Sequence, residues 1–286
     1  MTQDTTTGGT VASAGQSARR RLRWDEFVPR LVPRLTDYWV TVYKRTWRGS
    51  VITSFLMPFL YLTAMGVGLG SFVDKNSASD ALGGVSYLAF IAPGLLATTA
   101  MQAGVGESTY PVMAGFKWQR FYYSMAATPL RVADVAAGQL AFVAFRIALT
   151  CTVFLGVLAA YGALAGPLGG LAALGVSVLV GLAYATPIMG LSSRLKSDSG
   201  FSLVFRLGLM PMFLFSGAFF PISQLPQAVT WIAYATPIWH GVELSRSLTL
   251  GTASWLPAVG HLAYLLLWLL VGWYYCITGF AKKLSS

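Results

Sequence analysis

Apolar residues arrive in this chain in blocks of about 20, the length at which a helix crosses a hydrocarbon core of roughly 30 Å. Backbone polar groups in lipid find no water, so each block must satisfy its hydrogen bonds internally, as a helix. Six blocks meet the condition, at 51–72, 86–106, 134–161, 168–191, 201–220 and 256–279. Only 10% of the 286 residues are charged, against 55% apolar; a soluble domain carries roughly 25% charged. The expected fold class is all-α integral membrane. It has six transmembrane helices, an N-terminal amphipathic interface helix, and an outer re-entrant helical hairpin between helices five and six.

The formal net charge of +10 would suit a nucleic-acid binder, but its placement gives a different reading. With the N-terminus inside, the segments 1–50, 107–133, 192–200 and 280–286 hold sixteen of the 20 Lys and Arg residues. The outer segments hold Lys75 and Arg246, and Arg146 and Arg206 fall within spans. This is the positive-inside pattern. It places both termini in the cytoplasm of a bacterial inner membrane and leaves no call for nucleic acid as a partner. Residues 1–24 read as a disordered basic tail. Residues 25–50 read as an amphipathic helix in contact with membrane lipids, with Leu31, Leu35, Trp39 and Val42 on one face and Arg34, Asp37, Lys44 and Arg48 on the other. The membrane domain covers 51–280.

Two connecting segments are more than linkers. In the inner loop 107–133, Phe116, Trp118, Phe121, Tyr122 and Tyr123 interleave with Lys117 and Arg120, and a Thr128-Pro129-Leu130-Arg131 break precedes Asp134. A short amphipathic helix at the membrane face suits docking onto a soluble partner; an interfacial aromatic belt has the same composition. The outer segment 221–250 contains Pro221, Pro226, Pro237 and Gly241, which divide it into pieces of about 8–13 residues, too short to span. It also contains Gln224, His240 and Glu243, which need partners or water at that depth. Two half-helices dipping into the outer leaflet fit, as does a loop packed on the outer surface.

Residues 211–226 (Pro-Met-Phe-Leu-Phe-Ser-Gly-Ala-Phe-Phe-Pro-Ile-Ser-Gln-Leu-Pro) and 235–246 (Ala-Thr-Pro-Ile-Trp-His-Gly-Val-Glu-Leu-Ser-Arg) resemble the signature of ABC-2-type exporter permeases. The likeness is strongest to nodulation lipo-oligosaccharide exporters and their actinobacterial relatives. The stretch 121–140, around Ala127, Thr128, Pro129 and Leu130, looks like the family's first inner loop. The resemblance implies a permease that pairs with a second copy of itself and docks two ATPase subunits, which bind ATP and Mg in its place. It implies an amphiphilic substrate such as a lipid-linked glycan, glycolipid or drug. Carried onto this sequence, Lys117, Arg120, Phe121, Tyr122, Pro129 and Arg131 would couple to the ATPase. Arg146, Phe213, Phe215, Phe219, Phe220, Gln224, His240 and Glu243 would line or close the substrate pathway.

No G-x-x-x-x-G-K-[ST] segment is present, so nothing in the chain cradles ATP phosphates. Gly66, Gly68 and Gly70 lie within an apolar span and read as helix packing. His240 and His261 lack an H-E-x-x-H context, and Cys151 and Cys276 fall within spans, so no catalytic or metal site is expected. Arg146 either snorkels to the inner interface or faces the pathway, meeting an anionic headgroup or Glu107. Rival readings are an ion-coupled secondary transporter, which would want inverted repeats and acids at mid-membrane, and a membrane-embedded transferase, which would want a catalytic constellation.

Overall fold

The computed structural model describes residue 56 and residues 59–75, 84–128 and 130–285. The basic tail, the amphipathic helix at 25–50 and Pro129 lie outside the described residues. Within them the chain is all helical, with no strand. The helices are α1 (Phe59–Val73), α2 (Tyr87–Ser108), α3 (Tyr110–Lys117), α4 (Phe121–Ala126), α5 (Val132–Ala160) and α6 (Pro167–Arg194). They continue with α7 (Ser199–Leu214), α8 (Gln227–Tyr234), α9 (Pro237–Thr249) and α10 (Trp255–Leu284).

Four stretches are long and apolar enough to cross a membrane: Tyr87–Lys117, Val132–Ala160, Pro167–Arg194 and Trp255–Leu284, of 31, 29, 28 and 30 residues. The expected first and fifth spans coincide with the shorter apolar helices α1 and α7. Local chemistry sets several starts. Ser86 Oγ accepts from the Ala89 amide at 3.3 Å at the head of α2, and Asp134 Oδ2 accepts from the Arg131 amide at 3.1 Å at the head of α5. Pro167 and Pro237 open α6 and α9, where their missing N–H costs nothing.

α6 is the hub. It packs against α10, α2, α9 and α5, and Val180, Ala183, Ala185 and Met189 on it are fully buried. The crossing with α2 is a backbone contact. A Cβ on Gly104 would collide with the Gly181 carbonyl oxygen, and one on Gly181 would lie 2.7 Å from the Ala100 oxygen. Small residues let helices approach this closely in lipid, where dispersion contacts carry association. α10 packs along α6 on one side and exposes Trp255, Leu256, Leu267, Leu270, Val271 and Tyr274 on the other, the face a helix turns to lipid. α1 packs chiefly against α2, and α7 is tied in by Leu209, which is buried, and by the Tyr184 hydroxyl donating to Met212 Sδ at 3.6 Å.

One difference from the sequence reading bears on function. Residues 107–117, expected in the inner loop, continue the second span. The helix breaks only at Thr109 (φ −91°, ψ −99°), ahead of Pro111. Two polar groups that read as loop find partners within the bundle: Glu107 pairs with Arg146, and the Ser108 carbonyl accepts from Ser192 Oγ at 2.7 Å. The connection narrows to 118–131.

Gly104→Val is expected to destabilise the α2–α6 crossing by about 3 kcal/mol or more, because the obstacle is backbone and cannot rotate away. Gly175→Val, on α6 with nothing within 4 Å of its Cβ position, should leave the thermal midpoint and monodisperse yield in detergent unchanged. Equal behaviour of the two variants would remove the crossing from its central place.

Candidate functional site

The long helices, with α2, α6 and α10 running one way and α5 the other, collect polar chemistry at two ends. At one, which we call the basic end, α3 turns into α4. Gly115 makes the turn possible, since a Cβ there would strike the rings of Tyr122 and Phe121. Tyr122 is 1% exposed and packs against Phe116 (4.5 Å between centroids) and Phe280 of α10 (5.3 Å). The Tyr123 hydroxyl reaches the Lys283 carbonyl at 3.5 Å. On this aromatic base sits an exposed lip of Lys117, Trp118, Gln119 and Arg120. Lys117 Nζ lies 5.7 Å from the Trp118 ring, and the Arg120 guanidinium 5.6 Å from that of Tyr123. Arg120 has φ +54°, a left-handed conformation that costs a non-glycine residue about 1–2 kcal/mol. Of the residues expected at a coupling surface, Lys117 and Arg120 are exposed, Phe121 and Arg131 are half-buried, and Tyr122 is a core residue that holds the lip without being part of it.

Between the ends, Arg146 Nε donates to Glu107 Oε1 at 2.8 Å, with the two side chains 18% and 22% exposed. The pair joins α5 to α2 at a depth where a lone charge is costly. Arg206 stands on the exposed face of α7.

At the far end, α9 inserts between α2, α6 and α10. Arg246 anchors it. Its Nε donates to the Phe90 carbonyl at 3.2 Å, Nη1 to Glu243 Oε2 at 3.2 Å and Nη2 to the Gly217 carbonyl at 2.6 Å, and its Cζ sits 3.9 Å over the Phe90 ring. The single guanidinium thus ties together α9, α2 and the turn after α7. Gly217, at φ +77°, offers its carbonyl from a conformation that favours glycine. The sequence placed Arg246 in an outer segment and at the end of the 235–246 signature without a role; its three-residue spacing from Glu243 on a helix was the available signal.

The two histidines of the chain also meet here. His240 Nδ1 lies 2.8 Å from His261 Nδ1, and His240 Nε2 lies 3.1 Å from the Tyr234 carbonyl. A carbonyl only accepts, so His240 carries its proton on Nε2 and receives one from His261 at Nδ1. The Tyr264 ring stacks on His240 at 4.0 Å while its hydroxyl donates to the Ala235 carbonyl at 2.6 Å. These bonds pin α8 and α9 to α10. Among the expected pathway residues, Phe213 and Phe219 meet edge to face at 5.0 Å. Among the described residues Phe215 and Phe220 make no ring contact, and Gln224, exposed on the 3-10 turn Ile222–Gln224, makes no side-chain bond.

A bundle of apolar helices with a basic, aromatic lip at one end and short inserted helices at the other is the build of a membrane transport subunit. A model of the ABC-2 type transporter family matches residues 34–250, and the chain belongs to that family. It is 34% identical over 220 residues to nodulation protein J of Rhizobium leguminosarum bv. trifolii, covering 74% of this chain and 81% of that protein. It is 32% identical to nodulation protein J of Rhizobium meliloti (75% and 82% covered). It is 29% identical to that of Neorhizobium galegae over 87% of this chain and 94% of the relative.

Burial and the neighbouring His261 push His240 down from 6.5 to about 4, against a smaller upward pull from the Tyr234 carbonyl. The unfolded chain therefore binds a proton at pH values where the folded one does not, and stability falls as pH drops from about 6.5 toward about 4. The thermal midpoint should fall between about pH 7.5 and about pH 5, and fall less in His240→Gln. An identical drop in both proteins would clear the pair of responsibility.

Proposed function

We propose that this chain is the permease of an ATP-driven exporter in a bacterial inner membrane. It crosses six times, with α1 and α7 completing the set and both termini in the cytoplasm. Two copies pair and dock two copies of a separate ATPase, which holds ATP and Mg, and an amphiphile with a polar headgroup moves outward between them. The observation that carries this reading is the basic end. An exposed lip of Lys117, Trp118, Gln119 and Arg120 stands on a buried base of Phe116, Tyr122 and Phe280. That base roots the lip in α10, so a push on it reaches a spanning helix directly. An apolar anchor ringed by charges suits a protein interface.

Under this reading the basic end faces the cytoplasm and the far end the outside, in keeping with the distribution of Lys and Arg. The inserted helices α8 and α9, 8 and 13 residues long, are the outer re-entrant hairpin. Phe213 and Phe219 close the pathway beside them, while His240 and Glu243 hold the hairpin shut through His261 and Arg246. The resemblance of residues 211–246 to exporter permeases supports an amphiphile, a lipid-linked glycan, glycolipid or drug, as the cargo.

Reconstituting the permease with a candidate ABC ATPase tests the assembly. Arg120→Glu should weaken ATPase copurification by about tenfold. Arg120→Gly, which relieves the left-handed strain, should keep the thermal midpoint or raise it while still weakening docking. Wild-type docking by both variants would remove the lip from the interface.

The ion pair within the bundle gives a second test. Arg146→Gln leaves Glu107 half-buried and uncompensated, so at equal expression export should fall more in that variant than in Arg146→Gln combined with Glu107→Gln. Wild-type export by all variants would reduce the pair to an incidental contact.

A further inference from the structure

The two histidines of the chain stand on different helices, His240 on α9 and His261 on α10, with their Nδ1 atoms 2.8 Å apart. Both residues are half-buried, within reach of water and small ions. The Tyr234 carbonyl, 3.1 Å from His240 Nε2, keeps the proton on that nitrogen and leaves Nδ1 with its lone pair. A metal-ligating histidine is prepared in the same way: its other ring N–H goes to a carbonyl or carboxylate, which fixes the tautomer and the ring plane. Tyr264, stacked at 4.0 Å, holds the His240 ring from its face. The Trp239 ring lies 4.8 Å from that of His240 and 5.2 Å from that of His261, an aromatic shield on the pair.

The separation of the two nitrogens selects the kind of ion. Two metal–nitrogen bonds of about 2.0 Å set at a right angle leave the nitrogens about 2.8 Å apart, while the tetrahedral angle leaves them about 3.3 Å apart. Right-angled sites are those of copper(II) and nickel(II), tetrahedral ones those of zinc, and copper heads the affinity order. His261 supplies the movement: its ring turns until both Nδ1 lone pairs meet at one point beside the line joining them, and its proton passes from Nδ1 to Nε2. Both rings stay neutral and no proton is released. Among the described residues no group of three His, Cys, Asp or Glu could hold a metal ion, so the protein gives two ligands and water fills the remaining positions. Such an open site exchanges its ion; it is not a structural centre. Glu243, one turn from His240 on the same face of α9, brings a carboxylate whose charge acts on His261 and can accept from a metal-bound water. Arg246 offsets part of that charge.

We propose that His240 and His261 form a two-imidazole site for copper(II). An ion held there joins α9 to α10 by coordinate bonds where a single hydrogen bond joins them otherwise. The site stands on the pair alone and does not depend on the export reading above.

The full-length permease, carrying no affinity tag and held in detergent micelles, provides the test, with copper(II) as the probe and electron paramagnetic resonance as the readout. One copper per chain, bearing the nitrogen modulation of two imidazoles, is expected. At a hundredfold excess over Kd the thermal midpoint should rise by about 5 °C. Magnesium and calcium, which take oxygen ligands, should leave it unchanged. His240→Gln and His261→Gln should each leave one imidazole on the metal and weaken copper binding by about tenfold or more. Copper without imidazole modulation, copper bearing a single imidazole in the wild-type protein, or wild-type affinity in His261→Gln would each overturn the proposal. The chain has no third histidine, so the wild-type spectrum decides the matter even if a variant fails to fold. No transport is measured, and a failure here leaves the export reading standing.

Discussion

The approach of α2 and α6 at Gly104 and Gly181 fixes where everything else can sit. With no side chain between them, the two helices meet backbone to backbone, and α6 then has room on its other sides for α5, α9 and α10. In lipid there is little hydrophobic gain from bringing one apolar helix against another, so the bundle depends on close van der Waals contact and on internal satisfaction of polar groups. α6 meets the first demand along its whole length. Gly272 and Gly279 of α10 lie equally tight against Thr186, Pro187 and Ser193.

Arg246 meets the second demand. A guanidinium 9% exposed carries a heavy desolvation cost unless its donors are used. Here they go to two backbone carbonyls and a carboxylate, and its face rests on Phe90. Both carbonyls belong to segments that also meet backbone to backbone, the head of α2 and the turn at Gly217, where Gly94 lies tight against Ala218. At the opposite end, Arg194 does comparable work between α6 and α10, donating to Gly190, Tyr275 and Thr278. Each end of the bundle is closed by one arginine spread over several carbonyls.

The long helices were legible in the sequence because lipid length and apolar composition leave little choice. The division of 221–250 into two short helices was legible from its prolines, since Pro226 and Pro237 each stand at the start of one. The extent of the inner loop was not. Glu107 and Ser108 look like water-facing residues; Glu107 meets Arg146, 39 residues away and one of the two partners the sequence offered that arginine, while the Ser108 carbonyl accepts from Ser192, 84 residues away, which nothing in the sequence suggested. No local pattern announces a polar group satisfied across the bundle. The same blindness hid Tyr122 in the core and left Arg246 reading as a surface charge. Of the site residues named from sequence, the structure joins His240 to His261 and Glu243 to Arg246 and brings Phe213 to Phe219, while Gln224, Phe215 and Phe220 stand apart. His261, on a separate helix, came without any motif to flag it.

The two least supported helices share a peculiarity of winding. α1 is π-helical over Leu62–Leu69 and α7 over Val204–Leu209. A π turn bonds each residue to the one five ahead, so it stores one residue more than an α-helix of the same rise. The extra residue shifts every following side chain around the helix, so in α1 and α7 the set of residues turned toward the core beyond the π stretch differs from the set a regular α-helix of the same sequence would present.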